Sequence, residues 1–238
     1  MEKENCEFKR LSFLMLLMFL LFFASFLFLK ATTRPKIVIV CAGDSLMRPM
    51  PLYLRRWLPG RYIAIKEWAQ GGLSVATYFS FFSSHPAWSR EKVDIILLQL
   101  GTNDVSLFLR NEEKEELFIS HLRKIIKKLR KLKSNYFHQP RIIVATAPPF
   151  SGGKEEAQRN EILEARINPI IRQLAKKEKL FLLDHWPKFK DRPDLYDPDG
   201  VHLNGEGERV MARQWRRIVR KVWLASKVRR YQGILLEF

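Results

Sequence analysis

The chain has 238 residues, 47% of them apolar, and a formal net charge of +17. That length suits one domain of roughly 200 residues with an appendage, and that apolar share fills a core without disulfides or a structural metal. The two cysteines, Cys6 and Cys41, stand on opposite sides of a long apolar run and cannot pair, which argues against a disulfide-rich extracellular fold and fits a bacterial periplasm better.

The first element is that apolar run. After a short tail, residues 1–10, residues 11–29 read LSFLMLLMFLLFFASFLFL, 19 positions without a charge between Lys9-Arg10 and Lys30. At about 1.5 Å per residue a helix of that length nearly spans a hydrocarbon layer of roughly 30 Å, so a retained single-span signal-anchor is expected. A cleaved secretory signal is the rival reading. Its apolar region is usually about 7–15 residues and ends in small residues, whereas this run exits through Phe26, Leu27, Phe28 and Leu29. Lys3, Lys9 and Arg10 before the run are balanced by Lys30, Arg34 and Lys36 after it, so loop charge sets no orientation. A signal-anchor ahead of a large domain places that domain outside the cytosol, on the periplasmic or luminal side, and cleavage would make it secreted.

A basic linker, 30–35, leads into a domain over 36–226, and a tail of residues 227–238 follows it. Within the domain the runs 36–41, 62–68, 93–100, 141–147 and 180–184 are short and nearly all apolar, as strands buried on both faces require. Helical patterns alternate with them. In 111–133, Phe118, Leu122, Ile125, Leu129 and Leu132 form one stripe, with acids (Glu112, Glu113, Glu115, Glu116) at its start and Lys127, Lys128, Arg130, Lys131 and Lys133 at its end, which complements a helix dipole. Residues 155–178 and 206–224 predict two more helices, and 73–90 and 148–160 are expected as loops. The alternation predicts one α/β domain with a mostly parallel sheet covered on both faces.

Sites in such sheets gather at the carboxyl ends of strands. Four polar signals fall there: Gly43-Asp44-Ser45-Leu46, Gly71-Gly72, Gly101-Thr102-Asn103-Asp104, and Asp199 three residues ahead of His202. Each alone has a plain reading as a turn or helix cap. Together they hold what acyl transfer needs: a hydroxyl, an imidazole to take its proton, a carboxylate to orient the imidazole, and amide donors for an oxyanion. The set resembles the SGNH hydrolases of the GDSL esterase/lipase family, whose four blocks occur here in order. The resemblance implies a three-layer α/β/α sandwich with a five-stranded, flavodoxin-like sheet. It also implies Ser45 as nucleophile, His202 as general base, Asp199 as its orienting acid, an oxyanion hole of Ser45, Gly72 and Asn103, and no metal or organic cofactor. The second block departs from the family: Gln70 stands near where an Asn is usual, so Gly71 rivals Gly72.

The substrate expected is an ester, of a lipid or an acylated glycan. A transferase or deacetylase acting on an envelope glycan would use the same residues. A third reading is a non-enzymatic basic domain. Residues 31–238 hold 38 Lys+Arg against 22 Asp+Glu, a surface that attracts anionic lipid or polymer without selecting a specific nucleic acid. On that reading Trp215, Ile218 and Trp223 of the basic last helix lie on a bilayer. Asp184-His185 is the other acid–base pair in the sequence; His85, His121, His138 and His185 are expected in bland surface roles, and Asp44 and Asp104 as braces of their own turns. Arg48 is expected on the first turn of the helix after Ser45, facing solvent or an anionic substrate group.

Overall fold

The computed structural model describes residues 15–23, 25, 36–58, 60–152 and 154–225. The chain divides into two compact units, Met1–Lys36 and Ile37–Phe238. In the first, residues 15–23 and 25 are helical, and the apolar side chains from Met15 to Phe23 are exposed. The rest of the expected span 11–29 lies outside the described residues. Among the described residues no helix is long and apolar enough to cross a membrane.

The second unit is built on five parallel strands: β1 (Ile37–Gly43), β2 (Ile63–Ala69), β3 (Ile95–Gln99), β4 (Arg141–Ala145) and β5 (Phe181–Leu183). Their order is β2-β1-β3-β4-β5. Strand side chains alternate between faces, and here both faces are covered. Val40 and Ala42 enter one core with Phe82 of α2 (Val75–Ser83), Phe118 and Leu122 of α4 (Glu115–Leu129), and Ile171 of α6 (Asn168–Lys177). Ile39 and Cys41 enter the other with Leu54 of α1 (Met50–Trp57) and Met211, Trp215 and Val222 of α8 (Gly205–Ala225). Three short or peripheral helices complete the unit: α3 (Asp104–Leu109), α5 (Lys154–Ile162) and α7 (Trp186–Phe189).

Several elements depart from expectation for local reasons. The stretch 155–178 is not one helix: a π-helical segment, Leu163–Ile167, separates α5 from α6 just ahead of Pro169. That residue has no N–H to continue the ladder. The stretch 73–90 contains α2, which is opened by a reciprocal cap between Ser74 and Thr77. The expected helix 111–133 is trimmed to α4, because Asn111 takes a left-handed φ of 55° and ends the preceding turn. Glu113 consequently points inward instead of decorating a first turn, and is buried.

Candidate active site

β1 and β3 stay paired as far as Gly43 and Gln99, and beyond those residues the chain turns to opposite faces of the sheet, to α1 beside α8 after β1 and to α3 and α4 beside α2 and α6 after β3. Open α/β sheets bind ligands at such a switch point. Gly43 ends β1 with φ 144°, and a Cβ there would lie 2.0 Å from the Gln99 carbonyl oxygen. Only glycine lets the two strand ends close. The buried Asp44 follows, and its Oδ1 accepts the Leu46 N–H at 3.1 Å, capping the 3-10 turn Ser45–Met47. The helix expected directly after Ser45, with Arg48 on its first turn, begins later. Ser45 heads this single turn instead, and α1 starts only at Met50, within a stretch where Pro49 and Pro51 supply no N–H. Arg48 ends the turn with its side chain largely exposed, its Nε 3.8 Å from Glu67 Oε1.

Asp199 and His202 sit on a loop closed like a hairpin. Tyr196 and Leu203 bridge its base, the Asp197 N–H donates to the His202 carbonyl at 2.9 Å, and the Gly200 N–H donates to the Asp197 carbonyl at 2.9 Å. Gly200 has φ 66°, and a Cβ there would meet the Ser151 carbonyl oxygen at 1.9 Å. Asn204 fastens the loop to α8: its Oδ1 accepts from the Glu206 and Gly207 N–H groups at 3.0 Å, and its amide donates to the Asp194 and Tyr196 carbonyls.

These supports bring three expected residues together. His202 Nε2 lies 3.1 Å from Ser45 Oγ, and His202 Nδ1 lies 2.6 Å from Asp199 Oδ2. Asp199 Oδ1 accepts the Val201 and His202 backbone N–H groups, each at 2.9 Å. The bond from His202, then the backbone donors, hold the Asp199 carboxyl down at about 2, so it is ionised near neutrality. The His202 and Asp199 side chains are about half exposed, at 49% and 50%, so the site is open.

The glycine and Asn-Asp loops are joined to each other beside Ser45. A Cβ on Gly71 would lie 3.7 Å from Ser45 Cβ, whereas Gly72 has open space around it and takes φ 76°. The Asn103 amide donates to the Leu73 carbonyl at 3.1 Å, which leaves its second N–H unassigned by that bond. Asp104 does not brace its own turn as expected. Its carboxyl oxygens accept the Val75 N–H at 2.9 and 3.2 Å, 29 residues away, and so pin the start of α2. Burial, and then the carboxyl of Glu113 and that of Asp44, raise the pKa of Asp104 well above the ordinary range. Burial likewise raises Asp44 to about 7. Sequence reasoning missed Glu113, because an acid in a run of acids carries no sign that it faces inward.

The remaining candidates separate from the site. His185 is fully buried rather than at the surface. Its Nδ1 is 2.7 Å from Gln214 Oε1, and desolvation lowers its pKa to about 4. Asp184 accepts from Arg172 at 3.0 and 3.1 Å and from the Thr146 hydroxyl at 2.8 Å, so these two neighbours brace the end of β5 and do not face each other as acid and base. His85 stacks on Trp88 with ring centroids 4.3 Å apart. Trp215 and Trp223 are 0% and 3% exposed, so the apolar side of α8 belongs to the core and cannot lie on a bilayer. Among the described residues no three His, Cys, Asp or Glu side chains gather as a metal-binding set.

Comparison with solved structures supports the fold. A carbohydrate acetylesterase family member from Sinorhizobium meliloti superposes with a TM-score of 0.60 at 17% identity, over 78% of this chain and 98% of that one. The acetylxylan esterase Axe2 from Geobacillus stearothermophilus gives 0.60 at 18% identity, over 76% and 92%. The aryl esterase of M. smegmatis gives 0.55 at 16%, over 76% and 99%. A search of curated protein sequences returns no match. The sequence profile of the GDSL-like Lipase/Acylhydrolase family, however, matches residues 41–210, a stretch that runs from Cys41 inside β1 into α8 and takes in all four polar loops. The chain thus belongs to the GDSL-like lipase/acylhydrolase family and is an ester hydrolase.

Proposed function

We propose that Ser45, His202 and Asp199 carry out hydrolysis of a carboxylic ester as nucleophile, general base and orienting acid. The observation behind this reading is the relay of two bonds, 3.1 Å from Ser45 Oγ to His202 Nε2 and 2.6 Å from His202 Nδ1 to Asp199. His202 Nε2 takes the hydroxyl proton as Oγ attacks the carbonyl carbon. The tetrahedral oxyanion is held by the Ser45 N–H, the N–H of Gly72 or its rival Gly71, and the Asn103 amide. His202 then hands its proton to the leaving alcohol. A water, deprotonated by the same imidazole, attacks the acyl-enzyme and frees the acid and Ser45. The half-exposed His202 and Asp199 favour a short acyl group on a bulky alcohol over a chain swallowed whole. Solved structures named as a carbohydrate acetylesterase family member and an acetylxylan esterase point the same way, toward an acetylated glycan. Residues 11–29 are read as a membrane tether that holds the domain outside the cytosol.

Ser45→Ala is expected to abolish turnover of p-nitrophenyl acetate and labelling by a fluorophosphonate, with the circular dichroism spectrum unchanged. Full labelling and turnover in that variant refute the assignment. Product analysis with a glycan hydroxyl present separates hydrolysis from transfer to a sugar.

A further inference from the structure

Because all five strands are parallel, their amino ends share one pole of the domain, opposite the pole that carries Ser45. The helices that return between strands end there too. The Val93 N–H donates to the Lys133 carbonyl at 2.7 Å, which ties the chain after α4 to the entry of β3. The Leu180 N–H donates to the Ala175 carbonyl at 2.8 Å, which ties the end of α6 to the entry of β5. Ile37 and Ile63, the first residues of β1 and β2, line one crevice with Arg216, Arg220 and Trp223 of α8. Trp223 in turn packs on Tyr136 and Phe137, in the loop after α4, at ring separations of 5.6 and 5.7 Å.

This pole collects the basic charge. Residues 127–133, KKLRKLK, hold five Lys and Arg and no acid, and 216–221 hold four and no acid. Lys176, Lys177 and Lys179 surround Glu178 at the end of α6. The acids at this end are engaged: Glu178 with Arg130 and Arg123, Glu91 with Lys66, and the buried Asp94 with Ser134 and backbone N–H groups. Lys127, Lys131, Lys133, Arg217, Arg220 and Lys221 are exposed and make no ion pair among the described residues. Helix dipoles account for cations in a last turn only. Lys131, Lys133 and Lys179 stand beyond the ends of their helices, so the dipole leaves them unexplained.

We propose that this amino pole is the face by which the domain rests on an anionic phospholipid bilayer, with Ser45 directed away from the lipid. The inference deepens the membrane reading above and rests on it in one respect. β1 begins at this pole, and only the linker 30–35, at most roughly 20 Å of extended chain, separates the apolar run 11–29 from the domain. A polybasic surface next to a tether is a pairing that anionic headgroups recognise. Nucleic acid fits less well, because the aromatic rings at this pole pack on one another, with Trp223 buried, instead of forming an open stacking platform. The arrangement points the site toward esters in the aqueous envelope and not toward those of the lipid the domain rests on.

The test uses the full-length protein with vesicles of phosphatidylcholine alone or mixed with phosphatidylglycerol, and reads lysine acylation by mass spectrometry. Lys127, Lys131, Lys133 and Lys221 are expected to react several-fold more slowly on the anionic vesicles, while Lys188 and Lys190 near α7 keep their rates. The protection should vanish at about 0.5 M salt. In the combined variant Lys131→Gln, Lys133→Gln, Arg220→Gln, Lys221→Gln, the remaining reporter Lys127 should lose its protection at low salt with turnover of a soluble ester intact. Equal rates on both vesicles overturn the proposal and leave the tether standing. Failure to float with neutral vesicles, with salt-sensitive protection on anionic ones, refutes the tether and supports the pole. Protection by an oligonucleotide where anionic vesicles give none assigns the pole to nucleic acid and overturns the proposal.

Discussion

Asp199 does two things at once: it receives two backbone N–H groups that shape its own loop, and it holds the Nδ1 side of His202. Asp199→Asn keeps the backbone bonds but presents the wrong partner to the imidazole, so kcat should fall by about 100- to 10,000-fold with KM little changed. Ester hydrolysis kinetics check this, and a variant within twofold of the parent removes Asp199 from the relay. Asp44, one position from Ser45, behaves differently. Burial raises its carboxyl from 3.8 to about 7, so the folded chain holds a proton in that interval which the unfolded chain has released. Its contribution to stability is therefore full below about pH 4 and is lost as pH rises through about 7. Asp44→Asn should flatten this fall. Between pH 4 and 8 the variant should gain on the parent by at most roughly 4 kcal/mol, measured by denaturant unfolding at several pH values. Parallel pH profiles would show that Asp44 ionises as easily in the folded chain as in the unfolded one.

At the scale of elements, the site is a meeting of loops, each held by a bond that the others do not share. The Asn103 amide and the Asp104 carboxyl hold the start of α2, and Asn204 holds the start of α8. The loop that carries His202 depends on Gly200, whose α-carbon faces the Ser151 carbonyl. Gly200→Ala adds a Cβ into that oxygen at a left-handed φ, a strain of order 1–3 kcal/mol. The loop is expected to shift relative to Ser45. Ester turnover should drop at least about tenfold while the sheet core keeps its cooperative unfolding, because His202 needs hydrogen-bond reach to Ser45. Full activity with an unchanged melting temperature would mean that the loop gives way without moving His202. The middle of α8 is anchored by size rather than by bonds: Trp215→Ala, at a fully buried position, should cost about 3–5 kcal/mol by thermal or chemical unfolding.

For the molecule as a whole, the parallel topology gives the charge a direction. Helices α4, α6 and α8 all end at the amino pole, so the cations of each add to one surface. Crowding like charges there costs stability at low ionic strength and less when salt screens them within a Debye length of about 8–10 Å. The melting temperature is expected to rise between 0.01 and 0.15 M salt. Lys131→Gln with Lys221→Gln should raise it at low salt and leave it nearly unchanged at 0.15 M. A melting temperature indifferent to salt would mean that the cations are too far apart to repel.

The strands were legible because the three inner ones, β1, β3 and β4, are buried on both faces, and the edge strands β2 and β5 are still largely apolar, so apolar runs marked them to within a few residues. Three of the four loops were legible because they sit directly after such runs; the fourth, with Asp199 and His202, lies beyond α7 and was marked only by its position just ahead of α8. Local composition also carried α4 and α8, whose stripes repeat at helical spacing. What only the tertiary structure decided are the partners. Asp104 serves Val75, Glu113 faces inward from an acidic run, and His185 lies in the core against Gln214. Nothing within a few residues of Asp104, Glu113 or His185 distinguishes these roles from surface ones. Likewise the sequence shows a net charge of +17 but not its polarity. That polarity arises because every strand runs the same way, and the direction of a strand is set by pairing across residues distant in the chain.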